Sequence, residues 1–354
     1  MCARGRCTLA TAWVTKRYSE GDEKLILELR REIRGWTYTE DYWRWRCVDN
    51  PAGPAIVWLA MADGRAVGHS AILPRTLKVG DAVIRAGLSV DAWTHPGFRR
   101  QGMFTALHKK ALDDAADRGI ELVFSFPNDL SYPGFLKLGY SHLFSVPRRR
   151  KVVNWGSVIG ARTKMPLAGK TVALLSRMRN PLVEAPIISG IEVNEVTSFD
   201  ERFDTLWSRA AEHFPATVVR DSTYLNWRYA RNPHYDYATY VAERQGRLLG
   251  YVVLNSLTSD LVRGYIVDLQ VAPDERDVYR NLIAKSDEYF RKQNVDTIHC
   301  WMLGSEVYRE ELGRAGFRRR STPVRFCAQS LGGTTPDLVE HPHNWWLCPG
   351  DYDL

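Results

Sequence analysis

The sequence predicts a mixed α/β protein that consists of two tandem domains of the same kind. Two observations lead to this prediction. Strand-like apolar stretches are followed by apolar residues at helical spacing, and the same series of patterns occurs twice along the chain. The chain has 354 residues, which is long enough for two domains of ordinary size.

An internal repeat is visible at constant offsets. The offset is 182 residues for Trp45/Trp227, Asn50/Asn232, Pro51/Pro233, Gly64/Gly246 and Gly68/Gly250, and 177 residues for Asp91/Asp268, Pro96/Pro273, Gly139/Gly316 and Tyr140/Phe317. We attribute the change of offset to one short deletion in the loop before the central strand. Chance can supply any one pair, but a constant offset over this many positions indicates a duplicated domain.

Each copy predicts a helix, several strands, a central strand, a second helix, a further strand and a final helix. We place the first copy in residues 1–147, a basic linker in 148–189, the second copy in 190–327 and a C-terminal tail in 328–354. We expect one helix in the linker, near Lys170–Met178. The run Arg148-Arg149-Arg150-Lys151 is interpreted as solvated linker or as a phosphate-facing edge. The tail contains Trp345 and Trp346, which we expect to dock into a groove; partner binding is the alternative.

The composition is that of a globular protein with a basic surface. Hydrophobic residues make up 45% of the chain, charged residues 25%, and the net charge is +7. A positive balance suits a protein that binds an anionic small molecule as well as one that binds nucleic acid. Because the basic residues form no long block, we do not expect nucleic acid as the partner.

Cysteine usage and hydropathy bear on metal binding and on location. None of the six cysteines forms a Cys-x-x-Cys pair, so we expect no metal site. Scattered cysteines are typical of reduced thiols, and the sequence shows neither a secretory signal nor an apolar run long enough to span a bilayer. We therefore expect a cytoplasmic protein.

The stretch from Val90 to Gly119 is the centre of the functional prediction. Residues 86–93 predict a strand, residues 94–101 a tight connection broken by Pro96 and Gly97, and the residues from Gly102 a helix. Free N–H groups and a partial positive charge at such a helix N-terminus favour an anion. A basic surface turn that caps an ordinary strand–helix unit is the alternative.

The sequence Arg99-Arg100-Gln101-Gly102-Met103-Phe104 resembles the acyl-CoA pyrophosphate loop of the GNAT superfamily of N-acetyltransferases, whose pattern is Gln/Arg-x-x-Gly-x-Gly/Ala. Arg99 and Gly102 match this pattern, whereas Phe104 stands where Gly or Ala is usual. The resemblance covers about residues 12–147 and, more weakly, 190–327. It implies two tandem acyl-CoA N-acyltransferase-like domains that use acetyl-CoA or another acyl-CoA as co-substrate.

The resemblance also implies a set of cofactor-binding residues. Backbone groups of the central strand would bind the pantetheine arm, the loop would bind the pyrophosphate, and a residue after the neighbouring strand would contact the cofactor. In this order they are Ala92, Trp93 and Thr94; Arg99, Arg100, Gln101, Gly102, Met103, Phe104 and Thr105; and Asn128. A helix cap is the alternative role of Asn128.

Two residues are candidates for the acid and the base of an acyl transfer. The superfamily often uses a Tyr as the acid at a position that is Phe135 here, so we consider Tyr132 as a catalytic acid, with a packed aromatic residue as the alternative. Histidine is a common base at neutral pH, and His95 is a candidate because it is Ala272 in the second copy; an exposed turn residue is the alternative. Asp91 recurs as Asp268, which favours a structural role.

The second copy differs at the loop. Arg99 recurs as Arg276, but Gly102 becomes Tyr279, and acidic residues follow Pro273. Like charge and a bulky side chain would oppose a pyrophosphate there. We infer that only the first copy binds CoA and that the two copies form a pseudo-dimer within one chain, which is compatible with a monomer.

The leading hypothesis is an N-acetyltransferase that acts on the primary amine of a small molecule or amino sugar by direct attack on the thioester. One alternative is an aminoacyl or long-chain acyl transferase of the same fold. The other is a non-catalytic module that binds or senses CoA, which the phenylalanine at position 135 would support.

Overall fold

The computed structural model describes residues 12–163, 190–273, 275–304, 306–332 and 337–352. The helix expected near residues 170–178 lies outside these ranges. The described residues form two compact units: the first contains 12–75, 85–141 and 327–332, and the second contains 76–84, 142–163, 190–326 with the gaps just given, and 337–352. The boundaries that we placed at residues 147, 190 and 327 stay a prediction.

Strands and short to medium helices alternate along the chain. The strands are β1 (Val14–Arg17), β2 (Ile56–Ala62), β3 (Arg65–Val79), β4 (Ala82–Thr94), β5 (Leu122–Ser125), β6 (Ser141–Val146), β7 (Arg148–Val152), β8 (Glu192–Val196), β9 (Ala216–Val218), β10 (Ala238–Arg244), β11 (Arg247–Thr258), β12 (Val262–Val271), β13 (Thr297–Trp301), β14 (Arg318–Arg319), β15 (Val324–Ser330) and β16 (Trp345–Trp346). The α-helices are α1 (Glu23–Arg34), α2 (Glu40–Cys47), α3 (Met103–Asp117), α4 (Tyr132–Lys137), α5 (Trp155–Thr163), α6 (Glu201–Ala211), α7 (Ser222–Leu225), α8 (Arg276–Lys292), α9 (Glu306–Arg314) and α10 (Asp337–Glu340).

Two mixed sheets carry these helices, which confirms the predicted fold class. The first sheet has the order β1-β2-β3-β4-β5-β15-β6, with β9 and β16 attached to the far end of β3, and the second has the order β8-β10-β11-β12-β13-β7-β14. In each sheet the central strand pairs in parallel with the next strand, β4 with β5 and β12 with β13. The seven-strand order is the same in both, as a duplicated domain requires.

The basic run Arg148–Lys151 is part of a strand, which corrects its interpretation as a solvated linker. As β7 it pairs antiparallel with β13 and β14 in the second sheet. The Lys151 ammonium forms an ion pair with Asp287, which offsets one of the charges brought into the sheet.

The repeat reappears in the backbone of both units. Gly64 and Gly246 close the equivalent hairpins at φ 74° and 75°, and Gly139 and Gly316 follow the final helices at φ 94° and 90°. The change of offset arises in the hairpin arms. Strands β3 and β4 have 15 and 13 residues, whereas β11 and β12 have 12 and 10.

The ends of the first two helices are set by local sequence signals. Gly35 follows α1 in the left-handed conformation and donates its N–H to the carbonyl oxygen of Arg31, which ends the helix. The hydroxyl of Thr39 caps α2 by accepting the N–H of Tyr42. The apolar face of α1 buries Ile26 and Leu29. The four residues between Gly35 and α2 therefore form a short, fixed loop.

In the second unit the C-terminal aromatic residues are buried. Trp345 and Trp346 pair with β9 as strand β16, and each is at most 1% exposed. The docking interpretation of the tail is thus correct for these residues. No helix among the described residues is long and apolar enough to cross a membrane.

Candidate functional site

The loop between β4 and α3 holds a helix N-terminus at the end of the central strand. Gly102 caps the helix at φ 75°, and Arg100 is also in the left-handed region at φ 64°. A non-glycine residue rarely adopts this conformation, so the turn is tightly constrained. The first N–H groups of α3 have no acceptor within the helix and lie at its positive end.

The side chains of this loop leave room and positive charge for an anion. A Cβ atom added to Gly102 would meet no atom within 4 Å, so the approach to the helix N-terminus is open. Arg99, Arg100 and Thr105 are exposed. Neither arginine has an ion-pair partner among the described residues.

The central strand separates from its neighbour before it reaches the loop. Strand β4 pairs with β5 only over Ala86–Leu88 and then continues to Thr94. Ala92, Trp93 and Thr94 lie in the part of β4 that is not paired with β5, where the resemblance places residues that bind a pantetheine arm through their backbone. In the second unit the parallel pairing of β12 with β13 is equally short.

The two residues after Gly102 point their side chains into the protein. Met103 is 2% exposed and lies so close to Gly68 of β3 that a Cβ atom there would clash with it. Phe104 covers Gly134 of α4 and stacks on the ring of His108. The bulky Phe104, which departs from the GNAT pattern, is thus accommodated by a glycine in the facing helix.

The equivalent loop of the second unit is neutralised. Arg276, the counterpart of Arg99, forms ion pairs with Glu310 and Glu311. Tyr279, the counterpart of Gly102, is 7% exposed and belongs to the apolar core. An anion there would have to displace carboxylates, so the described residues of this loop offer no equivalent site.

Asn128 and Tyr132 lie at the start of α4. The Oδ1 atom of Asn128 accepts the N–H groups of Leu130 and Ser131, both at 3.0 Å, so its carbonyl caps this turn. Tyr132 is half-buried and packs against the apolar cluster beneath α3 and α4. Both alternatives that the sequence left open, the cap and the packed aromatic residue, therefore have structural support.

His95 lies directly before the loop, and both of its ring nitrogens have neighbours. Its Nδ1 atom accepts the N–H of Gly97 at 3.2 Å, and its Nε2 atom lies 3.6 Å from the Glu32 carboxylate. A nitrogen that accepts cannot carry the proton, so Nε2 carries it in the neutral ring. This arrangement leaves His95 without a free lone pair.

His69 of β3 is a candidate base that the sequence analysis missed. It is 2% exposed, its ring stacks on Trp93 at 4.7 Å, and its Nδ1 atom lies 2.7 Å from the main-chain oxygen of Asp91. Burial lowers its pKa, although the Asp91 charge opposes this shift. Its Nε2 atom has no hydrogen-bond partner among the described residues.

A signal for His69 existed in the sequence. The repeat offset places Tyr251 at the equivalent position of the second copy, so the histidine is specific to the first.

A buried polar chain lies on the other face of the sheet. His108 of α3 bonds Ser70 through Nδ1 at 2.8 Å and the Tyr140 hydroxyl through Nε2 at 2.9 Å, and the same hydroxyl bonds Ser89 at 2.6 Å. Burial lowers the pKa of His108 to about 3 and raises the pKa of Tyr140. The chain therefore stays uncharged at neutral pH. Phe135 packs beside it, 3% exposed.

The described residues contain no group of three or more His, Cys, Asp or Glu side chains that could hold a metal ion. The candidate site of the first unit consists of the N-terminus of α3, the exposed side chains of Arg99 and Arg100, and the buried polar residues.

A mixed sheet whose central strand diverges beside a glycine-capped helix defines the acyl-CoA N-acyltransferase class of fold. Residues 15–143 match the family model described as an acetyltransferase (GNAT) domain. The match covers the part of the chain that carries the pyrophosphate-loop motif, and the predicted resemblance to the GNAT superfamily is confirmed. The comparison with curated proteins gave no match.

Solved structures of N-acyltransferases share the fold over both units. A probable N-acyltransferase from Enterococcus faecalis has a TM-score of 0.64 at 13% identity, covering 91% of this chain and 73% of its own. A GCN5-related N-acetyltransferase from Anabaena variabilis has a TM-score of 0.63 at 13% identity, with 90% and 73% covered. The N-myristoyltransferase of Saccharomyces cerevisiae with bound myristoyl-CoA has a TM-score of 0.64 at 11% identity, with 92% and 84% covered.

Proposed function

We propose that this protein is an acyl-CoA-dependent N-acyltransferase that transfers an acetyl group from acetyl-CoA to the primary amine of a small molecule. The observation that carries the proposal is the contrast between the two loops. The loop around Gly102 is open and its two arginines have no ion-pair partner among the described residues, whereas in the equivalent loop Arg276 is paired with carboxylates. Of these two loops, the one around Gly102 is therefore the more favourable for a pyrophosphate.

In the proposed complex, the loop from Arg99 to Thr105 binds the pyrophosphate. N–H groups at the start of α3 and the guanidinium groups of Arg99 and Arg100 supply the positive charge. The pantetheine arm lies along Ala92–Thr94, where β4 no longer pairs with β5. Gln101, Met103 and Phe104 shape the turn, and Asn128 acts by capping the start of α4 beside the same gap.

We assign the role of general base to His69. The neutral acceptor nitrogen attacks the thioester carbon, a C–N bond forms and the C–S bond breaks. One proton of the attacking nitrogen passes to Nε2 of His69, and the CoA thiolate leaves and is protonated. Tyr132 remains the candidate donor of that proton. His69 is preferred to His95 because its Nε2 lone pair has no partner among the described residues.

The assignment of the loop is tested by the thermal shift that acetyl-CoA produces. We expect acetyl-CoA to raise the melting temperature of the wild type and to have no effect on Gly102→Glu, which places a carboxylate at the pyrophosphate position. Gly119→Glu is the matched control, because Gly119 has φ 72° and equally open surroundings at the other end of α3. The site would be refuted if acetyl-CoA failed to raise the melting temperature of the wild type, or if Gly119→Glu abolished the shift as Gly102→Glu does.

Two further aspects belong to the proposal. A cytoplasmic location is supported by four cysteines that carry no disulfide, Cys47, Cys300, Cys327 and Cys348. A longer acyl donor is the second candidate, because the N-myristoyltransferase shares the fold with myristoyl-CoA bound. Thiol release measured with acetyl, hexanoyl and myristoyl donors and a panel of amines distinguishes the donors, and binding without release would indicate a CoA sensor.

A further inference from the structure

Arg30 of α1 is a buried cation without an anionic partner. It is 5% exposed, and its guanidinium forms no ion pair and no hydrogen bond with any described residue. Its Nε atom is fully enclosed and unsatisfied. An unpaired buried charge is costly, so its presence requires an explanation.

Three aromatic rings surround the guanidinium of Arg30. The distances from its Cζ atom to the ring centroids are 3.8 Å for Tyr38, 4.3 Å for Trp36 and 4.9 Å for Trp93. Trp36 and Tyr38 belong to the short loop that begins at Gly35. Cation–π contacts hold the guanidinium in place but accept none of its N–H groups in the plane of the fork.

Other buried arginines of this chain do have acceptors. Arg46 donates to the Asp91 carboxylate at 2.6 Å, and Arg220 pairs with Asp268 and Asp351 in the second unit. Arg228 donates to the main-chain oxygen of Gly350. Each of these arginines has at least one acceptor, whereas Arg30 is held in position by aromatic residues and has none among the described residues.

The position of Arg30 connects it to the reaction site of the first unit. The ring of Trp93 contacts Arg30 and also stacks on His69, the proposed base. The backbone of Trp93 is in the part of β4 that we assign to the pantetheine arm. An anion on Arg30 would therefore lie one side chain away from both the base and the thioester.

We propose that Arg30 binds a carboxylate of the acceptor. The acceptor is then a molecule that carries both a primary amine and a carboxylate, as an amino acid does. This inference rests on the proposed N-acyltransferase function and narrows its acceptor class. A guanidinium binds a carboxylate through two parallel N–H···O bonds, and one carboxylate balances the single unpaired charge. The three rings fix the fork before the substrate arrives, which lowers the entropy cost of binding.

The test measures acceptor binding separately from acyl-CoA binding. The protein is saturated with CoA, and the melting temperature is followed with α-, β- and γ-amino acids of varied side chain, each paired with its amide. We expect some acids to raise the melting temperature. Their amides should need an at least about 10-fold higher concentration for the same shift, because a charge-assisted pair is lost. Equal effects of acids and amides, or no effect of any acid, would overturn the proposal.

Two variants on α1 assign the effect to a residue. Arg30→Met should remove the preference for acids while leaving the CoA shift intact, and Arg30→Lys should keep part of it. Arg31→Met is the matched control, because Arg31 is the adjacent residue and is exposed. If Arg30→Met keeps the preference for acids over amides, whether or not its ligand-free melting temperature falls, Arg30 has only a structural role.

The possible failures are distinguishable. Loss of the CoA shift in the wild type contradicts the proposed function itself, whereas an intact CoA shift without carboxylate selectivity contradicts only the acceptor class. Inorganic phosphate serves as the competing anion in the same assay. A shift with phosphate that depends on Arg30, in the absence of any shift with amino acids, would replace the carboxylate assignment.

Discussion

The Nδ1 atom of His69 lies 2.7 Å from the main-chain oxygen of Asp91. A carbonyl oxygen only accepts, so Nδ1 carries the proton and the lone pair of the neutral ring is on Nε2. The carbonyl belongs to a residue with φ 53°, and the Asp91 carboxylate is fixed by Arg46 at 2.6 Å. The backbone of the central strand thus selects the tautomer that a base requires.

His69→Gln should lower kcat by about 10²- to 10⁴-fold, the range of a general base, with little change in the CoA thermal shift. Because burial lowers the pKa of His69, the wild type should keep its activity to a pH below the usual histidine range before it falls. Steady-state rates as a function of pH measure both effects. His95→Gln is the control and should retain the acid limb; a larger loss of kcat in His95→Gln would reverse the assignment.

Arg99→Ala should weaken acyl-CoA binding by about tenfold, because a charge-assisted contact with phosphate contributes about 1.5–3 kcal/mol when enclosed and less on an exposed loop. Arg276→Ala should leave the affinity unchanged, since that guanidinium is already paired with Glu310 and Glu311. Calorimetric titration with CoA at two salt concentrations measures this. The affinity of Arg99→Ala should depend less on salt than that of the wild type, and equal effects of the two variants would contradict the single-site proposal.

Gly134→Ala should destabilise the protein by about 1–3 kcal/mol, although alanine is usually favoured over glycine in a helix. The added Cβ atom would lie 2.5 Å from the Phe104 ring. Gly313→Ala, which meets no atom within 4 Å in α9, is the control and should be neutral or stabilising. Denaturant unfolding measures both.

The same contact gives a coupling test. Combining Gly134→Ala with Phe104→Ala should restore part of the stability, because the second change removes the ring that clashes and restores the GNAT-type residue in the loop. Strictly additive losses in this cycle would show that Phe104 and Gly134 do not constrain each other.

Stability should fall as the pH is lowered from about 6.5 towards 3, partly because of His108. Its pKa is about 3 in the folded protein and near 6.5 when unfolded, so in this window the unfolded chain binds the extra proton. A fully shifted histidine contributes a slope of ~1.4 kcal/mol per pH unit. His108→Gln should be less stable at pH 7 and should lose this part of the slope in unfolding curves recorded between pH 4 and 7; an unchanged slope would contradict the buried neutral state.

The sequence sufficed for the features that local patterns and the repeat encode. The strand–turn–helix around Gly102, the duplication and the difference between Gly102 and Tyr279 were all predicted from residue types and spacing. Side-chain pairing across the sheet was not. That Arg30 lacks an acceptor while Arg46 has one depends on which residues of α1, α2 and β4 meet, and periodicity carries no information about this.

The pairing of β7 and β15 with strands that are distant in the sequence was not predicted either. The run Arg148–Lys151 contains four charged residues, so its composition favoured solvated linker, yet backbone hydrogen bonds to β13 and the Asp287 carboxylate support it as a strand. Similarly, Cys327–Ser330 pair with β5, although they lie at the end of the predicted second copy and in the predicted tail. Long-range strand pairing depends on tertiary context that no local window contains.

The pairing of Cys327 with Ser125 joins residues about 200 positions apart. During synthesis, this edge of β5 therefore has no partner until about 200 further residues have left the ribosome, and the high contact order predicts slow completion of this sheet. The isolated segment 1–147 would present β5 as an open edge to other chains. A single cut between the two copies would thus leave the first sheet without β15.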